Sequence, residues 1–143
     1  MRCQFAVVLG GEHLGLGARL RADMEGQLHG RQKGWLLTST TLRTRMILKS
    51  RQIGATWYFA RERFLEGLET GKNQIFISAS RAQANIFRAY IVQWVQRVCE
   101  VTLKGDPIVV QRGQGEDGEA LEPFELHFLG TNYRTAQGYH GDV

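Results

Sequence analysis

Residues 45–56 read Arg45-Met46-Ile47-Leu48-Lys49-Ser50-Arg51-Gln52-Ile53-Gly54-Ala55-Thr56. The apolar run 46–48 is of the kind that makes a buried strand. From Thr56 onward, apolar residues recur at helical spacing and predict an amphipathic helix. Its buried face is expected to contain Trp57, Ala60, Phe64, Leu65 and Leu68. A strand, a short polar turn and a helix N-terminus can hold a phosphate, because unpaired backbone N–H groups and the positive end of the helix dipole point at the anion.

The turn departs from the usual phosphate-loop pattern G-x-x-x-x-G-K-[ST]. Lys49 stands where the first glycine would be, and Ala55 replaces the lysine. Gly54 matches the second glycine and lets the backbone approach a phosphate without a Cβ atom in the way. Thr56 matches the hydroxyl residue that binds Mg²⁺. Lys49 or Arg51 would supply the positive charge for the β- and γ-phosphates, and the alternative is an ordinary strand-to-helix turn with a solvated basic cluster.

Composition indicates one globular domain without a membrane span. Of the 143 residues, 43% are hydrophobic and 22% are charged, as in soluble proteins. A net charge of +4, from 18 basic and 14 acidic residues, permits a polyanionic partner without requiring one. Cys3 and Cys99 have no metal or redox spacing, which indicates a reduced, cytoplasmic protein. No apolar run approaches the roughly 20 residues of a transmembrane helix, so no membrane association is expected.

A glutamine precedes an aromatic–aliphatic cluster upstream of the turn, with Gln32 followed by Trp35. An amide side chain carries both an acceptor and donors, so Gln32 could bind the N6 and N7 edge of adenine. The alternative is an exposed loop amide. Trp35 is expected to pack in the core. Residues 1–26 are interrupted by glycines and are predicted to be a divergent or poorly ordered segment, with a short helix possible from Leu20 to Leu28.

Downstream of the turn, the pattern predicts a strand–helix–strand unit. The helix runs from Gly54 to about Glu69, and Gly71 is suited to a left-handed cap. A second strand covers 74–78. Together with the run at 46–48, these elements predict a βαβ unit with parallel strands and a right-handed crossover.

The next stretch predicts a second helix and a β-hairpin. Ser80-Arg81-Ala82-Gln83 has the form of a capping box. The apolar face of the helix that follows contains Phe87, Tyr90, Ile91, Trp94, Val95 and Val98. Residues 107–111 and 124–129 predict two strands joined by a polar, glycine-rich loop. His127 lies in the second of these strands and is interpreted as structural.

The stretch 130–143 is polar and predicts a loop. Loops after strands of α/β sheets often carry function, so Arg134 and His140 are candidates for positioning a phosphate or a water molecule. Surface loop residues are the alternative interpretation. Asp142 has no apolar strand before it and is therefore a poor candidate for the Walker B carboxylate that binds Mg²⁺.

Several of these stretches, in this order, resemble the ATPase (large) subunit of the terminases of tailed bacteriophages. The resemblance covers most of residues 26–143. It is carried by Gln32 with Trp35 and by the stretches 47–56, 74–84, 104–108, 128–132 and 134–141.

The resemblance implies an α/β fold, a P-loop NTPase sheet of the additional-strand type that is truncated before the Walker B strand. Residues 27–143 would be the N-terminal part of the ATPase domain, and 1–26 would precede it. ATP and Mg²⁺ are the implied cofactors. The phosphate loop would contain Lys49, Ser50, Arg51, Gly54, Ala55 and Thr56, with Thr56 at the metal and Gln32 at the adenine. No catalytic residue is assigned, because the family places its carboxylates after the segment that ends this chain.

The resemblance also implies a role in the motor that drives double-stranded phage DNA into procapsids, in the cytoplasm of the bacterial host. The small terminase subunit and the portal of the procapsid would be the partners of the full-length protein. One alternative is a catalytically inactive prophage remnant that binds DNA or capsid proteins through its basic surface. A helicase fragment of the same superfamily is a further alternative.

Overall fold

The structure is a computed structural model that describes residues 13–48, 54–112 and 119–131. It contains helices and strands in mixed order, which makes the described chain an α/β protein. The elements are α1 (His13–Gly26), α2 (Gly30–Ser39), α3 (Ala55–Thr70), β1 (Gln74–Ser78), α4 (Arg81–Cys99), β2 (Ile108–Val110) and β3 (Phe124–Gly130). Among the described residues, none of these helices has the length and apolar character needed to cross a membrane.

The sheet has three strands with β3 in the middle, in the order β1-β3-β2. β1 pairs with β3 in parallel, with Gln74 opposite Leu126. β2 pairs with β3 in the antiparallel direction, with Ile108 also opposite Leu126. The antiparallel pair confirms the hairpin predicted from 107–111 and 124–129. The parallel pair needs a crossover connection, and α4 lies in it.

The core lies between the sheet and helices α3 and α4, and aromatic rings fill it. Phe64 of α3 packs edge-on against Trp94 of α4, with ring centroids 6.1 Å apart, and against Phe124 of β3 at 5.8 Å. Phe76 stacks on Phe128 across the parallel strands at 5.2 Å. The other buried apolar side chains of this core include Tyr58, Leu65, Ile91, Val95, Ile108, Val110 and Leu126.

Helix α1 contributes to the same core through Leu20 and Met24, which are fully buried. The sequence predicted only a short helix from Leu20 to Leu28, whereas α1 begins at His13 and ends at Gly26. Its Asp23 accepts a hydrogen bond from the indole Nε1 of Trp94 at 2.8 Å. Helix α1 is thereby held against α4 by both apolar and polar contacts.

A buried arginine lies between two tryptophans. The guanidinium of Arg61 in α3 is 4.0 Å from the ring centroid of Trp57 and 5.1 Å from that of Trp94. Burial, and then the nearby charge of Arg97, lower the pKa of Arg61 to about 10. The side chain therefore remains charged at neutral pH and is stabilised there by cation–π contacts.

Two predicted helix boundaries follow local sequence rules. Gly71 ends α3 with φ of 76° and donates its N–H to the carbonyl of Gly67 at 2.8 Å, as a left-handed cap does. Ser80 caps α4 by accepting the N–H of Gln83 at 3.2 Å. The other half of the predicted capping box is wrong. The side chain of Gln83 accepts a hydrogen bond from the hydroxyl of Ser78 at 3.1 Å, because the end of β1 lies beside the first turn of α4.

The predicted strand at Met46-Ile47-Leu48 is wrong. These residues have no regular secondary structure, and the side chains of Met46 and Leu48 are 99% and 101% exposed. A strand requires a partner for its backbone N–H and C=O groups. Within the described residues, the sheet consists of β1, β3 and β2, and residues 46–48 pair with none of them. The observed parallel pair is therefore β1 with β3, not 46–48 with 74–78.

The predicted apolar face of α4 is confirmed except at one edge. Ile91, Trp94 and Val95 are buried, and Phe87 and Val98 are partly buried against the core. Tyr90 is exposed instead. Position 90 lies at the margin of the helical stripe, where the phenol reaches solvent.

Candidate phosphate-binding site

Helix α3 begins at a glycine, which has no side chain to cap the helix. Its N-cap is Gly54, in the left-handed conformation with φ of 77°, and the first turn contains no acidic residue. The first N–H groups of a helix have no acceptor within the helix, so they and the helix dipole favour a negative charge here. Ala55 is buried, whereas Thr56 is half-buried and its hydroxyl makes no hydrogen bond with the described residues.

Gln32 lies against this glycine. Its Nε2 donates to the carbonyl of Gly54 at 3.2 Å, and its Oε1 accepts the N–H of His29 at 3.2 Å. Gln32 belongs to the first turn of α2 and is only 3% exposed, so the interpretation of an exposed loop amide is wrong. The structure brings Gln32 together with Gly54, while contact between Gln32 and adenine stays a prediction. Trp35, expected in the core, is partly buried against it.

Gly54 is restricted to glycine for two independent reasons. Its φ is positive, and a Cβ atom there would lie 2.7 Å from Nε2 of Gln32 and 3.6 Å from Nε2 of His29. The left-handed conformation costs a residue with a Cβ atom about 1–2 kcal/mol. The start of α3 therefore depends on Gly54 for its backbone conformation and for the approach of Gln32.

The variant Gly54→Ala is expected to lose about 1–2 kcal/mol of unfolding free energy and to weaken anion binding at α3. Gly71→Ala is the matched control. Gly71 caps the other end of α3 with φ of 76°, and its added Cβ would lie 2.6 Å from the Arg112 guanidinium, a strain similar to that at Gly54 but far from the start of the helix. Urea unfolding and binding of Mg-ATP are measured for both variants. Equal losses of binding in the two variants would contradict a specific role for Gly54.

A buried carboxylate lies further along α3. Glu62 is 5% exposed and accepts from both guanidinium nitrogens of Arg45, at 3.0 Å on Oε1 and 2.6 Å on Oε2. The hydroxyl of Tyr58 donates to Oε1 at 2.8 Å, and Nε of Arg63 donates to Oε2 at 3.0 Å. Such charge-assisted, two-point contacts are the strong hydrogen bonds of proteins, and they fix both partners in orientation.

The contacts of this cluster shift the pKa of two of its members, Arg45 and Tyr58. The hydrogen bond to Glu62 raises the pKa of Arg45 above its ordinary value. Burial, and then the adjacent charge of Glu62, raises the pKa of the Tyr58 phenol, so Tyr58 remains a donor. Arg45 also donates to the backbone carbonyl of Trp35 at 2.9 Å. The cluster therefore joins α2, α3 and the residue that precedes the apolar run.

The sequence reading missed this cluster. Tyr58 and Glu62 are four residues apart on a helix, a spacing that brings side chains together. This spacing could have indicated the contact between Tyr58 and Glu62. Arg45 is 17 residues from Glu62, and no local pattern connects them.

Several predicted site residues lie outside the described residues. They are Lys49, Ser50, Arg51, Arg134 and His140, and the poor candidate Asp142 also lies there. Within the described ranges, no group of three or more His, Cys, Asp or Glu side chains could hold a metal ion. The half-buried hydroxyl of Thr56, at the uncapped start of α3, fits a Mg²⁺ ion that arrives with a bound phosphate better than it fits a metal held by protein ligands alone.

An α/β chain with a helix that begins after a left-handed glycine has the local geometry found in anion-binding α/β proteins. Comparisons with known proteins show the family to which the chain belongs. Residues 46–143 match the family described as "Terminase large subunit, T4likevirus-type, N-terminal". The chain belongs to this family of terminase large subunits.

Two curated proteins are similar to the chain. The "Terminase, ATPase subunit" of Escherichia phage P2 is 50% identical over 117 residues, which cover 82% of this chain and 17% of the relative. The "Probable terminase, ATPase subunit" of Haemophilus phage HP1 is 48% identical over 99 residues, which cover 69% of this chain and 15% of the relative. The chain thus spans less than a fifth of the length of these relatives. No solved structure matches it.

Proposed function

We propose that this chain binds Mg-ATP through a P-loop at the start of α3, as part of a terminase large-subunit ATPase. The start of α3 at the left-handed Gly54 carries this proposal, because the N-terminus of a helix presents backbone N–H groups and a positive dipole end to a phosphate. Thr56 would bind the Mg²⁺ ion, and Lys49 or Arg51 would neutralise the β- and γ-phosphates. Ser50 and Ala55 would complete the loop, and Gln32 would lie at the adenine side.

The function of the whole motor extends this proposal. The two relatives are named ATPase subunits of terminases. We propose that the full-length protein powers the packaging of double-stranded phage DNA into procapsids, together with the small terminase subunit and the portal. This step rests on family membership, because the chain corresponds to only 17% and 15% of the lengths of these relatives.

We propose that the residues described around the start of α3 contribute to nucleotide binding but do not supply the groups that hydrolyse the nucleotide. Phosphoryl transfer to water needs a carboxylate for the metal and a group that orients the water. The buried carboxylate nearest the start of α3 in sequence is Glu62, and it is already bound by Arg45, Arg63 and Tyr58. Glu62 is therefore suited to a structural ion cluster rather than to catalysis.

The test of this function is the affinity for Mg-ATP of a Lys49→Ala/Arg51→Ala double variant, measured by calorimetry. Loss of the charge that faces the phosphates is expected to weaken binding about tenfold or more, because a charge-assisted contact contributes at least about 1.4 kcal/mol. The two single variants then decide which residue supplies that charge.

A Lys72→Ala/Lys104→Ala double variant is the matched control, because both lysines are exposed and lie away from the start of α3 in sequence. It removes the same amount of positive charge and is expected to bind Mg-ATP like the unmodified protein. Unchanged binding after loss of both Lys49 and Arg51 would contradict the assigned roles. Absence of Mg-ATP binding by the unmodified chain would contradict the proposed function.

The positive net charge gives little support to the alternative of a DNA-binding remnant. Many of the described arginines are engaged with carboxylates instead of forming a free basic surface. The pairs are Arg21 with Glu69, Arg45 and Arg63 with Glu62, Arg81 with Asp106, and Arg97 with Asp23.

A further inference from the structure

We propose that Glu62 is a positioning residue, which holds Arg45 and thereby sets the position of residues 45–48 relative to α2 and α3. The contacts that carry this inference lie entirely within the described residues. Only its effect on ligand affinity rests on the proposed nucleotide binding.

The first step is the burial of the carboxylate. A charge removed from water is stable only when it is paired and hydrogen-bonded, and removing one partner from a buried pair is strongly unfavourable. Glu62 is 5% exposed and has Arg45, Arg63 and Tyr58 as partners. The carboxylate and its partners therefore have one preferred arrangement.

The second step is the direction in which the cluster acts. Arg63 and Tyr58 belong to α3, as Glu62 does, so their contacts hold nothing outside the helix. Arg45 comes from a segment without regular secondary structure. Its guanidinium contacts both oxygens of Glu62 and the carbonyl of Trp35 in α2. The cluster therefore fixes Arg45 relative to two helices at once.

A second contact with α2 is made at Gly54, the N-cap of α3. Gly54 is held by the amide of Gln32, again from α2. Gln32 and Trp35 are three residues apart, about one helical turn. Arg45 and Gly54, which lie on either side of residues 49–53 in the sequence, are thus both held by contacts with α2 and α3. Glu62 lies seven residues after Ala55, about 10 Å along the same helix whose N-terminus would receive the phosphate.

The consequence for binding is preorganisation. If Arg45 is held by Glu62 in only a fraction of the molecules, the apparent dissociation constant for Mg-ATP rises in inverse proportion to that fraction. Release of Arg45 from Glu62 removes the contact by which the residue just before 46–48 is held to α3. Affinity is therefore expected to depend on Glu62 even though its carboxylate does not contact the ligand.

The test compares Glu62→Gln and Arg45→Gln with the control Glu69→Gln. Glu69 belongs to the same helix, but it forms an exposed pair with Arg21. The measured quantity is the ¹⁵N order parameter of the backbone amides of Met46, Ile47 and Leu48, which reports fast local motion without any ligand. The two test variants are expected to lower these order parameters, and the control is expected to leave them unchanged.

Amides of β1, α4 and β3 are the internal reference. They are expected to keep their order parameters in all variants. Unchanged values at 46–48 in Arg45→Gln would overturn the proposal, and so would an equal loss of order throughout the protein. If Glu62→Gln does not fold, Arg45→Gln decides alone, because it leaves Glu62 bound by Arg63 and Tyr58.

Mg-ATP affinity gives the second readout. If the held fraction falls to about a tenth, the dissociation constant rises about tenfold in each single variant, and the double variant is no weaker than either one. Additive losses would overturn the positioning role. If the unmodified protein binds no Mg-ATP, the proposed function fails. The order parameters of residues 46–48 still decide whether Glu62 positions this segment.

Discussion

Replacing Trp94 with alanine is expected to lower the free energy of unfolding by about 3–5 kcal/mol. Trp94 is fully buried, and its ring contacts Phe64 edge-on, with centroids 6.1 Å apart. The same ring lies 5.1 Å from the guanidinium of Arg61, and its Nε1 donates to Asp23 at 2.8 Å. The alanine variant removes all of these contacts and leaves a cavity where α1, α3 and α4 meet.

Urea unfolding followed by far-UV circular dichroism measures this loss. Trp94→Phe retains an aromatic ring and is expected to cost less than the alanine variant. Tyr90→Ala, on the more exposed margin of the same helix, is the matched control and is expected to cost clearly less than Trp94→Ala. A loss at Trp94→Ala no larger than that of the control would show that the ring is not central to the core.

The variant Gly67→Ala is expected to destabilise the protein by about 1–3 kcal/mol, although alanine is the better helix former. A Cβ atom at this position would lie 2.4 Å and 2.5 Å from two carbons of the Phe124 ring. Phe124 is fully buried in β3 and packs against Phe64, so its ring cannot move aside without disturbing the core.

Gly34→Ala provides the opposite expectation at a second helical glycine. Gly34 lies in α2, and a Cβ atom there would have no neighbour within 4 Å. This variant is expected to be more stable by about 1 kcal/mol, because alanine has the higher helix propensity. Both variants are measured by urea unfolding. Stabilisation by both substitutions would mean that α3 and β3 are not in close contact at Gly67.

The elements that depend on local sequence were predictable. The period of α3, the short strand β1, the left-handed cap at Gly71 and the serine cap of α4 all follow from residues close together in the chain. The hairpin followed from two apolar runs joined by a polar loop. The strand predicted at 46–48 failed because a strand depends on a partner elsewhere in the chain, and an apolar run does not specify that partner.

The candidate site divides in the same way. The glycine requirement at Gly54 was visible in the motif, and the structure adds its left-handed conformation. The burial of Gln32 could not be predicted from the sequence, because it depends on a contact with Gly54, 22 residues further along the chain. The cluster around Glu62 was hidden for a further reason. One of the acceptors of Arg45 is the backbone carbonyl of Trp35. Every residue has a backbone carbonyl, so the sequence does not indicate which one is used.

The arginine between two tryptophans gives the protein an intrinsic optical probe. Trp57 directly follows Thr56, and its indole lies 4.0 Å from the Arg61 guanidinium. An anion at the start of α3 would place its charge within the first turn that contains Trp57, and the electric field of that charge would act on the indole. Trp94 shares the same cation from inside the core. Emission from an unlabelled sample could therefore follow the arrival of a ligand at the turn in real time.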